Sequence, residues 1–255
     1  MPDSPILRMA LPPRPVATPP SSLAGVLAFG MPVVDSWLKG GLRRDGVHEF
    51  YDAPESEPGA AAAVALLLGA RACAEKRPLM WLRVAGGRPD GRPYAPGLVE
   101  LGMNPDAVLL MEPPDLDALL IAGVESVRHG GASAVVLEVH GRAPRLDLTA
   151  SRRLALAAER SGVIVLLVRS GAAPVSSVAH SRWEVASAPS AALATNAPGH
   201  PVFDLKLLRQ RGGPDGLHVQ LEWNREQAVF RTPLSGSAPA VPARGTADRR
   251  RHRAA

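Results

Sequence analysis

The sequence predicts an α/β fold in which a mostly parallel sheet is flanked by helices and ends in an antiparallel C-terminal edge. Three observations predict it. From residue 47 to residue 168 short apolar runs alternate with helix-like segments, which implies parallel strands joined by right-handed crossovers. The run at 163–168 is unbroken and branched-aliphatic, as a strand covered on both faces requires. Beyond it long helices disappear, and strand-like runs at 202–208 and 217–223 flank Gly212-Gly213-Pro214-Asp215-Gly216, a hairpin connection.

Taken in order, Val47-His48-Glu49-Phe50-Tyr51 is the first core strand. Residues 60–76 form a helix that is apolar nearly all round and therefore buried. Strands follow at 79–84, 107–111, 134–139 and 163–168, with a Gly/Pro-rich loop at 86–97 and a helix at 115–129. A further helix starts at about Ala150, with Thr149 as its N-cap and Gly162 as its stop. The segment 182–186 is the strand before the late hairpin.

Residues 1–22 carry Pro2, Pro5, Pro12, Pro13, Pro15, Pro19 and Pro20, which block both helix and sheet pairing, so they read as a flexible leader. Residues 234–255 are small, Pro-containing and then Arg-rich, and read as a disordered tail. The folded domain is expected over 23–233. The formal charge is +5. The tail holds Arg244, Arg249, Arg250, Arg251 and Arg253 against Asp248, a net +4 that leaves +1 for everything before it. Attraction to nucleic acid is thus expected from the tail rather than from a cationic domain surface. Cys73 is the single cysteine, which excludes an internal disulfide and a cysteine-based zinc site and fits a reducing compartment. The N-terminus has no continuous apolar core of a signal peptide, and the longest apolar run, 59–70, is too short to span a bilayer. The expected location is cytoplasmic.

The loop after the first strand, Asp52-Ala53-Pro54-Glu55-Ser56-Glu57-Pro58-Gly59-Ala60, sits where an α/β domain places a phosphate-binding loop, because backbone N–H groups at a helix N-terminus favour an anion. Its Pro54-Glu55-Ser56 core resembles the RecA loop, in which Gly-Pro-Glu-Ser precedes Gly-Lys-Thr. Upstream, Phe29-Gly30-Met31-Pro32-Val33-Val34-Asp35 and Gly40-Gly41-Leu42 resemble the lead-in of RecA-like proteins. Downstream, Arg182-Trp183-Glu184-Val185 and the string Arg211, Gly212, Gly213, Glu222, Trp223 resemble the C-terminal half of the ImuA family. The chain is similar to the RecA superfamily and, within it, to ImuA.

The resemblance implies a RecA-like fold and a part in damage-inducible, SOS-controlled mutagenesis. In that setting ImuA-like proteins work with an ImuB-like Y-family polymerase homologue and an error-prone C-family DNA polymerase in translesion synthesis, with RecA as a further partner; a weak contact with single-stranded DNA is expected from the tail arginines. It also implies a degenerate nucleotide site. When the loops are matched, the phosphate-binding lysine falls on Gly59, the magnesium-binding hydroxyl on Ala60, and the preceding glycine on Pro58. No other lysine substitutes: Lys39, Lys76 and Lys206 are the only ones, and none lies between Gly and Ser or Thr. Glu138 takes the place of the magnesium-associated aspartate, the water-orienting glutamate falls near Ala85, and the polar pair ending the fifth strand falls on Leu167 and Val168. No catalytic residue, cofactor or metal is expected.

Other constellations have plainer readings. Glu138 and His140 share a strand face but lack a third ligand. Ser56 and Ser170 have no nucleophile elbow and read as turn residues. Arg152, Arg153 and Arg160 decorate a solvated helix face. The late hairpin is expected to leave an open sheet edge, with Trp223, Arg225 and Phe230 as a partner surface. Two other functions stay open: a RecA-like inhibitor of cell division or of RecA filaments, and a nucleotide-hydrolysing enzyme with an unorthodox loop.

Overall fold

The computed structural model describes residues 25–73, 77–86, 93–193 and 197–233. Its centre is the strand β3 (Val47–Asp52), which pairs in parallel with β7 (Ile164–Ser170) on one side and β8 (Ser181–Ala188) on the other. Outward from β7 the sheet continues in parallel through β6 (Ala134–His140), β4 (Leu79–Arg83) and β5 (Val108–Met111). Outward from β8 it turns antiparallel, through β9 (Val202–Gln210), β10 (His218–Asn224) and β11 (Val229–Arg231). The order of the nine-stranded sheet is β11-β10-β9-β8-β3-β7-β6-β4-β5. A small antiparallel pair, β1 (Val26–Leu27) with β2 (Leu42–Arg43), brackets the short helix α1 (Pro32–Trp37).

One face of the sheet carries α2 (Ala60–Ala72), and 11 of its 13 residues are buried. Small side chains let the helix sit close: a Cβ on Gly69 would lie 2.7 Å from Leu79 Cδ1. The antiparallel edge curls round this helix. Arg71 on α2 donates to the carbonyls of Ala28 in the lead-in and Ala228 beside β11, while Phe29, Trp183, Trp223 and Phe230 form a buried aromatic group. The glycine-containing lead-in is thus a structural strap. Asp35 accepts from the backbone N–H of Phe29 and Gly30, and the Phe29 carbonyl accepts from Phe230 N–H.

The opposite face is covered by α4 (Leu116–His129) and α5 (Leu148–Ser161), which pack on Leu137, Val165 and Leu167. Asp115 caps α4 by accepting from Ala118 N–H, and Gly130 ends it at φ 71°. Asp147, rather than Thr149, caps α5, two residues earlier than the sequence predicts. A carboxylate that accepts from Ala150 N–H won over a hydroxyl already inside the first turn. Gly162 does stop α5. The short helix α3 (Ala95–Glu100) and the strand β11 have no counterpart in the expected elements.

Beneath this frame His48 is buried on β3. Its Nε2–H donates to the Arg43 carbonyl at 2.9 Å, so Nδ1 is the acceptor for the Ser181 hydroxyl at 2.7 Å, which in turn accepts from Trp183 Nε1–H. Burial pushes the His48 pKa down to about 4. A histidine depressed in the folded state contributes its full stability above the unfolded pKa near 6.5 and loses it as pH falls towards 4. The loss amounts to about 3 kcal/mol. Urea unfolding at pH 7 and pH 4.5 is expected to show that drop, and His48→Gln to flatten it while lowering stability at pH 7. An unchanged pH profile in His48→Gln would count against this assignment.

Candidate functional site

The strand, loop and helix that would cradle a phosphate are present: β3 ends at Asp52, the loop crosses 53–58, and Gly59 enters α2 at φ 109°. A positive φ at the helix entrance is one that glycine adopts without strain. The helix N-terminus carries an anion of the chain itself. The Asp52 carboxylate folds back over it, and Oδ1 accepts from Ala61 N–H at 2.8 Å and from Gly59 N–H at 3.3 Å. Two amides at the start of the helix, those of Gly59 and Ala61, are thus satisfied by the chain's own anion.

The rest of the loop is acidic or apolar. Pro54, Glu55, Glu57 and Pro58 are exposed, and Ala60 is buried against the core. Ser56 is a turn residue as expected: its N–H donates to the Ala53 carbonyl and its hydroxyl oxygen accepts from Ser187 N–H.

Glu138, at the end of β6, is buried and accepts from Trp81 Nε1–H at 3.0 Å. It sits in register with Arg83, itself 3.8 Å from Glu112. This carboxylate is built into the protein's own polar network. His140, on the same strand face, is exposed, and among the described residues no group of three or more His, Cys, Asp or Glu could hold a metal.

Two expectations fail on burial. Leu167 and Val168 are core residues, because β7 runs on to Ser170; its polar end is Arg169-Ser170, and both residues are buried. Ser170 is therefore a strand residue, not a turn residue. Trp223 and Phe230 are likewise no surface anchors: they are 0% and 1% exposed, and Trp223 Nε1–H donates to the Leu101 carbonyl after α3. Arg225 is half-buried, and its carbonyl lies where a side chain on Gly102 would collide with it. The edge of the late hairpin is partly closed, since β11 pairs with Glu222, Trp223 and Asn224 of β10. The tail arginines Arg244, Arg249, Arg250, Arg251 and Arg253 lie outside the described residues.

Sequence reasoning missed a buried polar cluster on the α5 side of the sheet. Arg182 Nε donates to Glu49 Oε2 at 2.8 Å, with side chains 12% and 3% exposed. Tyr51 donates to the same carboxylate, and the Arg169 and Arg182 guanidiniums lie over its ring at 5.9 and 5.8 Å. Burial and the Glu49 charge raise the Tyr51 pKa, which keeps the phenol a donor. The alternation of Glu49 and Tyr51 along β3 was the available signal; their basic partners are remote in sequence.

Comparison with known proteins agrees with this fold. No family model matches the chain. It is 32% identical over 206 residues to Protein ImuA of Caulobacter vibrioides, in two strains, covering 75% of this chain and 81% of the relative. The crystal structure of the RadB recombinase superposes with a TM-score of 0.56 at 16% identity, covering 79% of this chain and 98% of that one. The sheet order, the phosphate-loop position and the extent of this likeness together show that the chain belongs to the ImuA family, on a RecA-superfamily fold.

Proposed function

We propose that this protein is a non-hydrolytic accessory factor of damage-inducible mutagenesis that acts by binding other proteins. The observation that carries the reading is the nucleotide position itself: the helix amides hold Asp52, and the lysine and hydroxyl positions are Gly59 and Ala60. Phosphoryl transfer depends on positioned cations around the transferring group, and this loop supplies carboxylates instead. Family membership supports translesion synthesis under SOS control as the setting, and an ImuB-like Y-family polymerase homologue and an error-prone C-family polymerase as the partners.

A binding role also needs a surface. Among the described residues the edge strand β5 pairs with β4 alone, and Leu109, Leu110 and Met111 on it are 50%, 37% and 39% exposed. Exposed apolar side chains on an edge strand offer both backbone groups and contacts to a partner strand. Among the described residues this edge fits better than the hairpin. Co-purification of the ImuB-like partner with a Leu109→Asp/Met111→Asp variant is the test. The expected result is loss of the partner at an unchanged melting temperature; full retention would exclude this edge.

A further inference from the structure

The two helices on the face opposite α2 carry outward stripes that match. On α4 the stripe is Asp117, Ile121 and Glu125, at i, i+4 and i+8; on α5 it is Arg152, Leu156 and Arg160, at the same spacing. Residues four apart form one ridge of a helix surface, so each stripe is continuous. All six side chains are exposed, Ile121 by 66% and Leu156 by 52%. The inner sides of the helices are already spent on the sheet, through Leu119 and Val127 of α4 and Leu154 and Ala158 of α5. One exposed aliphatic residue is ordinary on a protein surface. An acid–isoleucine–acid ridge beside an arginine–leucine–arginine ridge of equal spacing is a self-complementary one.

The other charges of this layer leave the match in place. Arg128 pairs with Glu125 at 2.7 Å and Arg145 with Asp117 at 3.6 Å, but all four side chains are more than half exposed, and such pairs exchange partners at little cost. Asp147 is held as the cap of α5, and Glu159 stands beside Arg160 but off the ridge. Arg153 borders the groove between the helices, which Leu120, Val124 and Leu154 also line. With these neighbours included, the outer side of α4 remains acidic and that of α5 basic.

We propose that α4 and α5 form the interface of a homodimer in which Asp117, Ile121 and Glu125 of one copy lie along Arg152, Leu156 and Arg160 of the other. Both helices return between strands of the same parallel sheet, so they point the same way. A two-fold axis running along them sets α4 of each copy on α5 of its partner, and the complementary ridges meet twice. Ile121 packs on Leu156 at the centre, with a carboxylate–guanidinium pair on either side, and the groove between the helices is closed inside a four-helix layer. Two helices of 14 residues present a face of about 20 by 20 Å, which is small for a stable interface and implies dissociation on the order of micromolar. The dimer uses no residue of the phosphate loop or of β5, so it stands or falls apart from the accessory-factor reading.

Sedimentation equilibrium of the full chain, up to about 200 µM so as to exceed a micromolar dissociation constant, is the test. A monomer–dimer equilibrium is expected; a monomer at every concentration would overturn the proposal. Asp117→Lys/Glu125→Lys and Arg152→Glu/Arg160→Glu each set like charges against one another and are each expected to weaken self-association at least about tenfold. The quadruple variant that combines them keeps the wild-type net charge and exchanges the two ridges, and it is expected to dimerise again, which recovery of folding alone would not produce. Ile121→Ser, which alters no charge, should also weaken the dimer, and it keeps the outcome readable if a charge reversal lowers the melting temperature. A dimer that persists undiminished in Ile121→Ser and in both double variants would overturn the proposal, as would a quadruple variant that melts near wild type yet stays monomeric. Loss of the dimer in Leu109→Asp/Met111→Asp, with α4 and α5 intact, would move the interface to the β5 edge and exclude this one.

Discussion

Replacing Phe230 by alanine is expected to lower the stability of the domain by about 3–5 kcal/mol, the usual loss for a buried phenylalanine. The ring is 1% exposed and lies 5.0 Å from Trp223 and 5.8 Å from Phe29, centroid to centroid. Its removal would open a cavity between β11, β10 and the lead-in strap, where Arg71 also ties these segments to α2. For a domain of this size the melting temperature should fall by roughly 6–20 °C. Thermal unfolding followed by circular dichroism checks it. A Phe230→Ala protein that melts with the wild type would mean that β11 does not close the core, and would return the ring to the surface.

Glu49→Ala is expected to cost about as much, 3–5 kcal/mol, for a different reason. The substitution removes an anion that is 3% exposed and leaves Arg182 charged and Tyr51 with a hydroxyl, both half or fully enclosed. An uncompensated buried cation is worse than no ion pair at all. Glu49→Gln should recover part of the loss by still accepting from Tyr51 and Arg182. Denaturant unfolding of the two variants separates the effects, and equal stability of Glu49→Ala and wild type would show that the cluster adds nothing to the fold.

The sequence made the parallel part of the fold legible because both periodicity and punctuation pointed the same way. The aliphatic run ending at Val168, the apolar helix after Gly59 and the Gly-rich hairpin at 212–216 all lie where they were expected. What stayed hidden depends on partners distant in the chain. β11 is three residues long and has no pattern of its own; it is a strand because Trp223 and Phe230 meet in register. The same meeting turned two expected surface anchors into core. In sequence Asp52 is only the first residue of a loop, since nothing in a linear sequence says that its side chain turns back to the amides of Gly59 and Ala61.

On the accessory-factor reading, the Asp52 carboxylate on the Gly59 and Ala61 amides takes the place of nucleotide phosphates, and the protein turns over no ATP. The most direct measurement is the melting temperature of the wild-type protein against increasing Mg²⁺–ATP, since any ligand that binds only the folded state raises apparent stability. The predicted result is no shift from zero to millimolar nucleotide, with no phosphate released above background. A saturable rise of several degrees, abolished by Glu138→Ala, would show an open nucleotide site and contradict the account.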